Sequence, residues 1–222
     1  MNFSDQWEVN YKSGKHLSVW PWSDIISLVC RYKHSLKANA KVLEIGCGAG
    51  ANIEFFKQSN VEYFGLDGSN SIISSLKLSF PELKGNLVAC DFTKTLYFKG
   101  PFDLIIDRAS LTHNNDSAIR ETIKNIKQLL AENGKFISVD WFSTKHYGFT
   151  SGESGPDKFT RCNFTKGSLA GTGNVHFSDQ NNLFEIFSDW NIIYLMHKTY
   201  DEQIPTMGKY NPASWNIVAE VK

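Results

Sequence analysis

The chain has 222 residues, 41% of them hydrophobic, a length that fits one domain with room for a substantial core. Its 23 basic and 23 acidic side chains cancel. Without a positive surplus to displace counterions from phosphates, a nucleic-acid substrate is disfavoured and a small molecule is the better expectation.

No apolar run approaches the roughly 18 residues needed to span a bilayer, and the start, Met1–Trp7, is too polar for a secretory leader. The four cysteines (Cys30, Cys47, Cys90, Cys162) show no C-x-x-C pair and no metal-ligand spacing. A reduced, cytoplasmic location without membrane contact is expected.

The N-terminal stretch to Pro21 carries Tyr11, Gly14, His16, Trp20 and Trp22 nearby, without clear periodicity. Ser23 and Asp24 can cap a helix from about Asp24 to Lys37 with Ile25, Leu28, Val29 and Tyr32 on one face. Short apolar runs then alternate with amphipathic stretches, the pattern of βαβ units around a parallel sheet. Strands are expected at Lys41–Ile45, Val61–Leu66, Gly85–Cys90, Phe102–Ile106 and Lys135–Val139, and helices at Ala51–Gln58, Asn70–Ser79 and Asp116–Ala131. From Ser143 to Phe177 six glycines mark a long loop, which in a compact domain is usually functional. A short helix, Gln180–Phe187, precedes two strand-like runs, Trp190–Tyr200 and Ala213–Val221, that read as an antiparallel hairpin. The expected layout is one domain: an arm and helix over 1–38, a cofactor-binding core over 39–141, a substrate-side insertion over 142–178, and a helix with hairpin over 179–222.

Gly46, Gly48 and Gly50 follow an apolar strand and open a helix, where glycine allows a tight turn and close approach to a ligand. Rossmann dehydrogenases use a related loop, but two details differ here. Ala51 stands where G-x-G-x-x-G has its third glycine, and Glu44 lies inside the strand, where it suits a cationic ligand better than a nicotinamide dinucleotide.

The order Val42-Leu43-Glu44-Ile45-Gly46-Cys47-Gly48-Ala49-Gly50, Phe64-Gly65-Leu66-Asp67, Asp91-Phe92 and Phe102–Asp107 resembles the class I S-adenosylmethionine-dependent methyltransferases over roughly Lys41 to Asp140. The resemblance implies an α/β, Rossmann-like doubly wound sheet of seven strands, order 3-2-1-4-5-7-6, with the last strand antiparallel. It also implies S-adenosylmethionine as cofactor. Gly46, Cys47 and Gly48 would pack on its methionine and ribose parts, with Glu44 and Asn52 alongside. Asp67, followed by Gly68 and Ser69, would accept from both ribose hydroxyls, since a carboxylate is an acceptor-only group; a plain Asp-Gly turn is the competing reading. Asp91 would take the adenine amino group beside Phe92, unless it is an ordinary strand-ending acid. Asp107 and Arg108 would lie where methyl and acceptor meet. Tyr11 and Trp20 would belong to a flap, or simply anchor the arm; the stretch His16–Ser23 is also similar to that of bacterial methyltransferases of surface-polysaccharide or sugar biosynthesis.

Methyl transfer needs alignment above all, and a base only for an acceptor that must lose a proton. Asp107 and His113 are the candidate bases. Asp107 and Asp140 could supply metal oxygens, but Trp141 follows Asp140 where metal-dependent relatives have an amide, so no metal is expected. A non-catalytic S-adenosylmethionine-binding module and a nicotinamide-dependent oxidoreductase remain the alternatives.

Overall fold

The structure, a computed structural model, describes residues 5–32, 37–201, 203–204 and 211–222. Helices α1 (Asp5–Lys12) and α2 (Ser23–Tyr32) precede the sheet. The expected extension of α2 to Lys37 falls partly on 33–36, outside the described residues. Then β1 (Lys41–Ile45), α3 (Ile53–Gln58), β2 (Glu62–Asp67), α4 (Asn70–Ser79), β3 (Leu87–Ala89), β4 (Phe102–Arg108), α5 (Asp116–Leu129) and β5 (Leu130–Phe142) alternate as the apolar pattern requires.

Period-two alternation decides which face each strand residue serves. Leu43, Ile45, Ile105 and Phe136 enter one core with Ile119, Ile123 and Ile126 of α5. Val42, Leu104, Ile106 and Ile137 enter the other with Ile25, Leu28 and Val29 of α2, Phe56 of α3 and Leu76 of α4. Both faces are therefore covered, as a parallel sheet needs.

The chain continues through α6 (Gly148–Ser151) and three short strands, β6 (Glu153–Ser154), β7 (Thr160–Cys162) and β8 (Val175–His176). It closes with α7 (Gln180–Ile186), β9 (Trp190–Thr199) and β10 (Ala213–Val221). The main sheet runs β3-β2-β1-β4-β5-β10-β9, and β10 is antiparallel to both its neighbours. With its seven strands numbered along the chain this is 3-2-1-4-5-7-6, last strand antiparallel, as expected.

Three departures have physical causes. The expected loop 143–177 contains α6 and the β6-β7-β8 sheet, with its own core of Phe164, Leu169, Val175 and Phe177; strands of two or three residues are too short to show a period. The helix expected to reach Ala131 stops at Leu129, and β5 begins at once. Leu130 pairs with Phe102 and Lys135 with Leu104, so the residues between bulge out, with Asn133 at φ 64°. The aperiodic N-terminal arm forms α1, held by contacts from elsewhere: Glu8 accepts from the Ser69 hydroxyl, and Asn10 Nδ2 donates to the Gly171 carbonyl at 3.1 Å.

Candidate functional site

Parallel strands end on one rim of the sheet, and ligands of such sheets bind there. After β1 the backbone turns through Gly46 at φ 69°, where a Cβ would stand 2.2 Å from Ser110 Cβ. Gly48, at φ 50°, donates its N–H to Asp67 Oδ2 at 3.0 Å. The turn opens a cavity of about 290 Å³ between the β1, β2 and β4 ends and α1. Of the residues expected to hold the cofactor, Tyr11, Glu44, Gly46, Cys47, Gly48, Asn52, Asp67, Gly68, Asp91, Phe92 and Arg108 line this cavity.

Glu44 is buried and accepts from Asn52 Nδ2 at 2.7 Å and the Tyr63 hydroxyl at 2.6 Å. Burial outweighs those bonds and pushes its carboxyl up to about 7. Asp67, also buried, accepts from Gly48 N–H and, at 2.9 Å, from Ser69 N–H, and burial raises it to about 6. Three acidic side chains, Glu44, Asp67 and Asp91, face one guanidinium, Arg108. Such walls suit a cation and a diol and repel a pyrophosphate.

The Glu44 shift has a signed consequence. Its folded value lies above the unfolded one, so the stability it contributes is fully present below about 4.5 and is lost as pH rises toward 7. Glu44→Gln lacks this titration. The melting temperature of the variant minus that of the wild type is expected to rise from pH 4.5 to 7.5; a flat difference across matched buffers would show that Glu44 does not carry the shift.

Three expected residues lie elsewhere. Trp20 is 81% exposed and does not reach the cavity, although Leu17, Ser18 and Trp22 of the same segment line it. Trp20→Ala should leave cofactor affinity unchanged in calorimetry, and a loss beyond about threefold would place it in the site. Ser69 is buried one residue behind the wall, capping α4 through Ile72 N–H at 3.2 Å. Asp107 does not line the cavity. Its oxygens are taken by the Ser110 and Leu111 N–H groups, both at 3.0 Å, by the Ser110 hydroxyl, and by the Ser138 hydroxyl at 2.7 Å. It organises the turn after β4 and is withdrawn as a base.

The sequence reading missed Trp7, Ser110 and Asn114, which also line the cavity. The spacing of Trp7 and Tyr11 on one helical face was the available signal for the first. Ser110 fixes the glycine loop by donating its hydroxyl to the Ile45 carbonyl at 2.7 Å, and nothing in the sequence announces that contact.

A second cavity, also about 290 Å³, shares Trp7, His16, Arg108, Ala109 and His113 with the first. Its remaining walls come from the 142–178 segment, including Phe142, His146 and Leu169, and from the hairpin, including Tyr200 and Ser214. Ala109 and Asp140, which both line it, have φ of 56°; a left-handed alanine is strain that surrounding structure must sustain, and such strain gathers at functional sites. Arg108 Nε bonds Asp140 Oδ2 at 3.0 Å while its guanidinium lies 3.6 Å from the Trp22 ring centroid. The other Asp140 oxygen accepts from Lys198 at 2.9 Å. Asp107 and Asp140 are thus both engaged by protein groups, and no cluster of three or more His, Cys, Asp or Glu able to hold a metal occurs among the described residues.

Residues 43–136 match the sequence model of a family described as "Methyltransferase domain"; the match runs from β1 into β5 and so contains the glycine loop, Asp67 and Asp91. No curated protein matches the chain. Solved structures are similar in fold. An S-adenosylmethionine-dependent methyltransferase from Clostridium acetobutylicum is 16% identical, with a TM-score of 0.64 over 90% of both chains. One from Methanosarcina mazei is 14% identical, with a TM-score of 0.65 over 91% of this chain and all of that one. The glycopeptide N-methyltransferase MtfA, solved with sinefungin, is 14% identical, with a TM-score of 0.60 over 90% of this chain and 86% of that one.

Residues 43–136 thus match a methyltransferase domain, and the fold around them is that of S-adenosylmethionine-dependent methyltransferases. The acid-lined cavity fits S-adenosylmethionine, a cationic, diol-bearing group.

Proposed function

We propose that the chain methylates a small-molecule acceptor, a sugar among the candidates, bound in the second cavity. One observation carries this reading: two cavities of similar size meet at a shared wall of Trp7, His16, Arg108, Ala109 and His113. S-adenosylmethionine supplies a methyl group already activated on a sulfonium. What the protein must add is alignment, and a fixed junction between donor and acceptor sites can supply much of the acceleration.

Asp67, Glu44 and the Gly46–Gly50 loop would hold the cofactor; Asp91 and Phe92 would flank its base. Arg108, locked on Trp22 and Asp140, and His113 would face the reacting atoms. An exposed basic track for nucleic acid finds no support in the balanced charge, and no helix among the described residues is long and apolar enough to cross a membrane. We place the enzyme in the cytoplasm on the cysteine pattern.

Calorimetry with S-adenosylmethionine, S-adenosylhomocysteine and NAD tests the cofactor half. Binding of the first two is expected, and binding of NAD alone would sink the reading. Cofactor binding with no turnover on any acceptor would make the chain a binding module.

A further inference from the structure

The cavity junction carries one group that nothing so far explains. His113 Nδ1 is closed off from solvent and has no hydrogen-bond partner, while the ring's other nitrogen bonds the backbone of Asn174. That second bond fixes the proton on Nε2 and leaves Nδ1 a bare acceptor lone pair. Trp7 stands edge-on to the ring with centroids 4.7 Å apart, and Phe142 with centroids 5.8 Å apart. An unmade bond of this kind is destabilising, and a buried acceptor with no donor calls for one.

We infer that the methyl acceptor is an uncharged hydroxyl compound that donates its O–H to His113 Nδ1. The inference rests on the proposed function and narrows it to one class of acceptor. Two further observations exclude the neighbouring classes.

The first is charge. Arg108 and Asp140 are the charged residues of the second cavity's walls, and they bind each other. Lys198, behind them, is held by Asp140 and Asp24. Among the described residues of these walls no uncompensated cation remains for a carboxylate, a thiolate or the diphosphate of a sugar nucleotide, and burying an unpaired anion is expensive. A lone pair on Nδ1 would repel such a nucleophile as well.

The second is basicity. Burial, with His16 and Arg108 adding repulsion, holds His113 down at about 3; burial alone holds His146 at about 4. Both rings are neutral near pH 7, and no imidazolium stands in for the missing cation. So weak a base cannot strip an ammonium before reaction, which disfavours amines. It suffices for a hydroxyl, whose proton becomes strongly acidic only as the oxygen is alkylated. An oxygen lone pair forms the O–CH3 bond, the S–CH3 bond breaks with its electron pair left on sulfur, and the proton passes from oxygen to Nδ1.

His146 complements this. Its Nδ1 accepts from Gly148 N–H at 3.0 Å, which leaves its proton on Nε2, a donor available to a second acceptor oxygen. Phe142, Leu169 and Tyr200 supply apolar wall for a ring.

The test uses the full chain, 15N-labelled at histidine and saturated with S-adenosylhomocysteine, with phenol, glucose, benzoate and benzylamine as probes. A saturable shift of the His113 Nδ1 resonance with phenol or glucose is expected, and the responding probe separates phenolic from sugar acceptors. A shift with benzoate or benzylamine, or no shift with either hydroxyl probe, overturns the inference. Turnover gives a second readout. On a hydroxyl acceptor, His113→Ala should lower kcat by about 100-fold with S-adenosylhomocysteine affinity unchanged; an unaltered kcat overturns the role of His113. Failure of S-adenosylhomocysteine to bind the wild type counts instead against the proposed function.

Discussion

Asp67→Ala is expected to weaken S-adenosylmethionine binding by at least about 100-fold. The carboxylate ends β2 at the cavity wall, buried, with one oxygen on Gly48 N–H and the other on Ser69 N–H. Each oxygen keeps a second lone pair for a ribose hydroxyl. Charge-assisted bonds of this kind contribute about 1.5–3 kcal/mol each, and about 1.4 kcal/mol is tenfold in affinity. The variant also frees two loop N–H groups, so the glycine loop loses its anchor.

pH supplies an independent check. Burial raises Asp67 to about 6, and protonation removes acceptor capacity. Affinity should therefore fall as pH drops through 6 in the wild type and fall less steeply in Asp67→Asn, where Glu44 alone of the two acids still titrates. Calorimetry that finds Asp67→Ala binding like wild type would remove the ribose assignment.

Gly46→Ala should be the most damaging single-methyl change in the loop. The residue sits at φ 69°, and its added Cβ would lie 2.2 Å from Ser110 Cβ and 2.5 Å from Ser110 Oγ. Ser110 cannot retreat, because its hydroxyl bonds the Ile45 carbonyl and Asp107, and its N–H bonds Asp107. A left-handed alanine costs about 1–2 kcal/mol and overpacking about 1–3 kcal/mol more. At roughly 2–4 °C per kcal/mol for a chain of this size, the melting temperature should fall by about 4–20 °C. Gly85→Ala is the control, since nothing lies within 4 Å of its added Cβ. Equal melting temperatures for the two variants would show that the loop yields.

Much of this site was legible before folding. Asp67 ends β2, Gly46 and Asp91 follow the ends of β1 and β3, and Glu44 lies one residue inside the end of β1; a strand end on a parallel sheet is a ligand position by topology alone. Asp107 met the same sequence criterion and failed. The difference is Ser110 and Ser138, whose hydroxyls, with the Ser110 and Leu111 N–H groups, occupy its oxygens. Strand-end position does not say which way a carboxylate turns. Trp20 failed for the converse reason: a Trp-Pro-Trp run advertises aromatic packing, yet Trp22 lies under Arg108 and Trp20 faces outward.

The sequence by itself determined the order of the seven main-sheet strands with the helices between them, and the glycine loop with its acids, because these depend on local periodicity and on residue types at element ends. Tertiary structure alone decided the rest. Contacts across long stretches of chain bring Trp7, Arg108 and His113 to one wall, turn α1 over the cavity through Glu8 and Asn10, and seal His113 Nδ1 without a partner. No local pattern encodes them, since each depends on where two distant backbones meet.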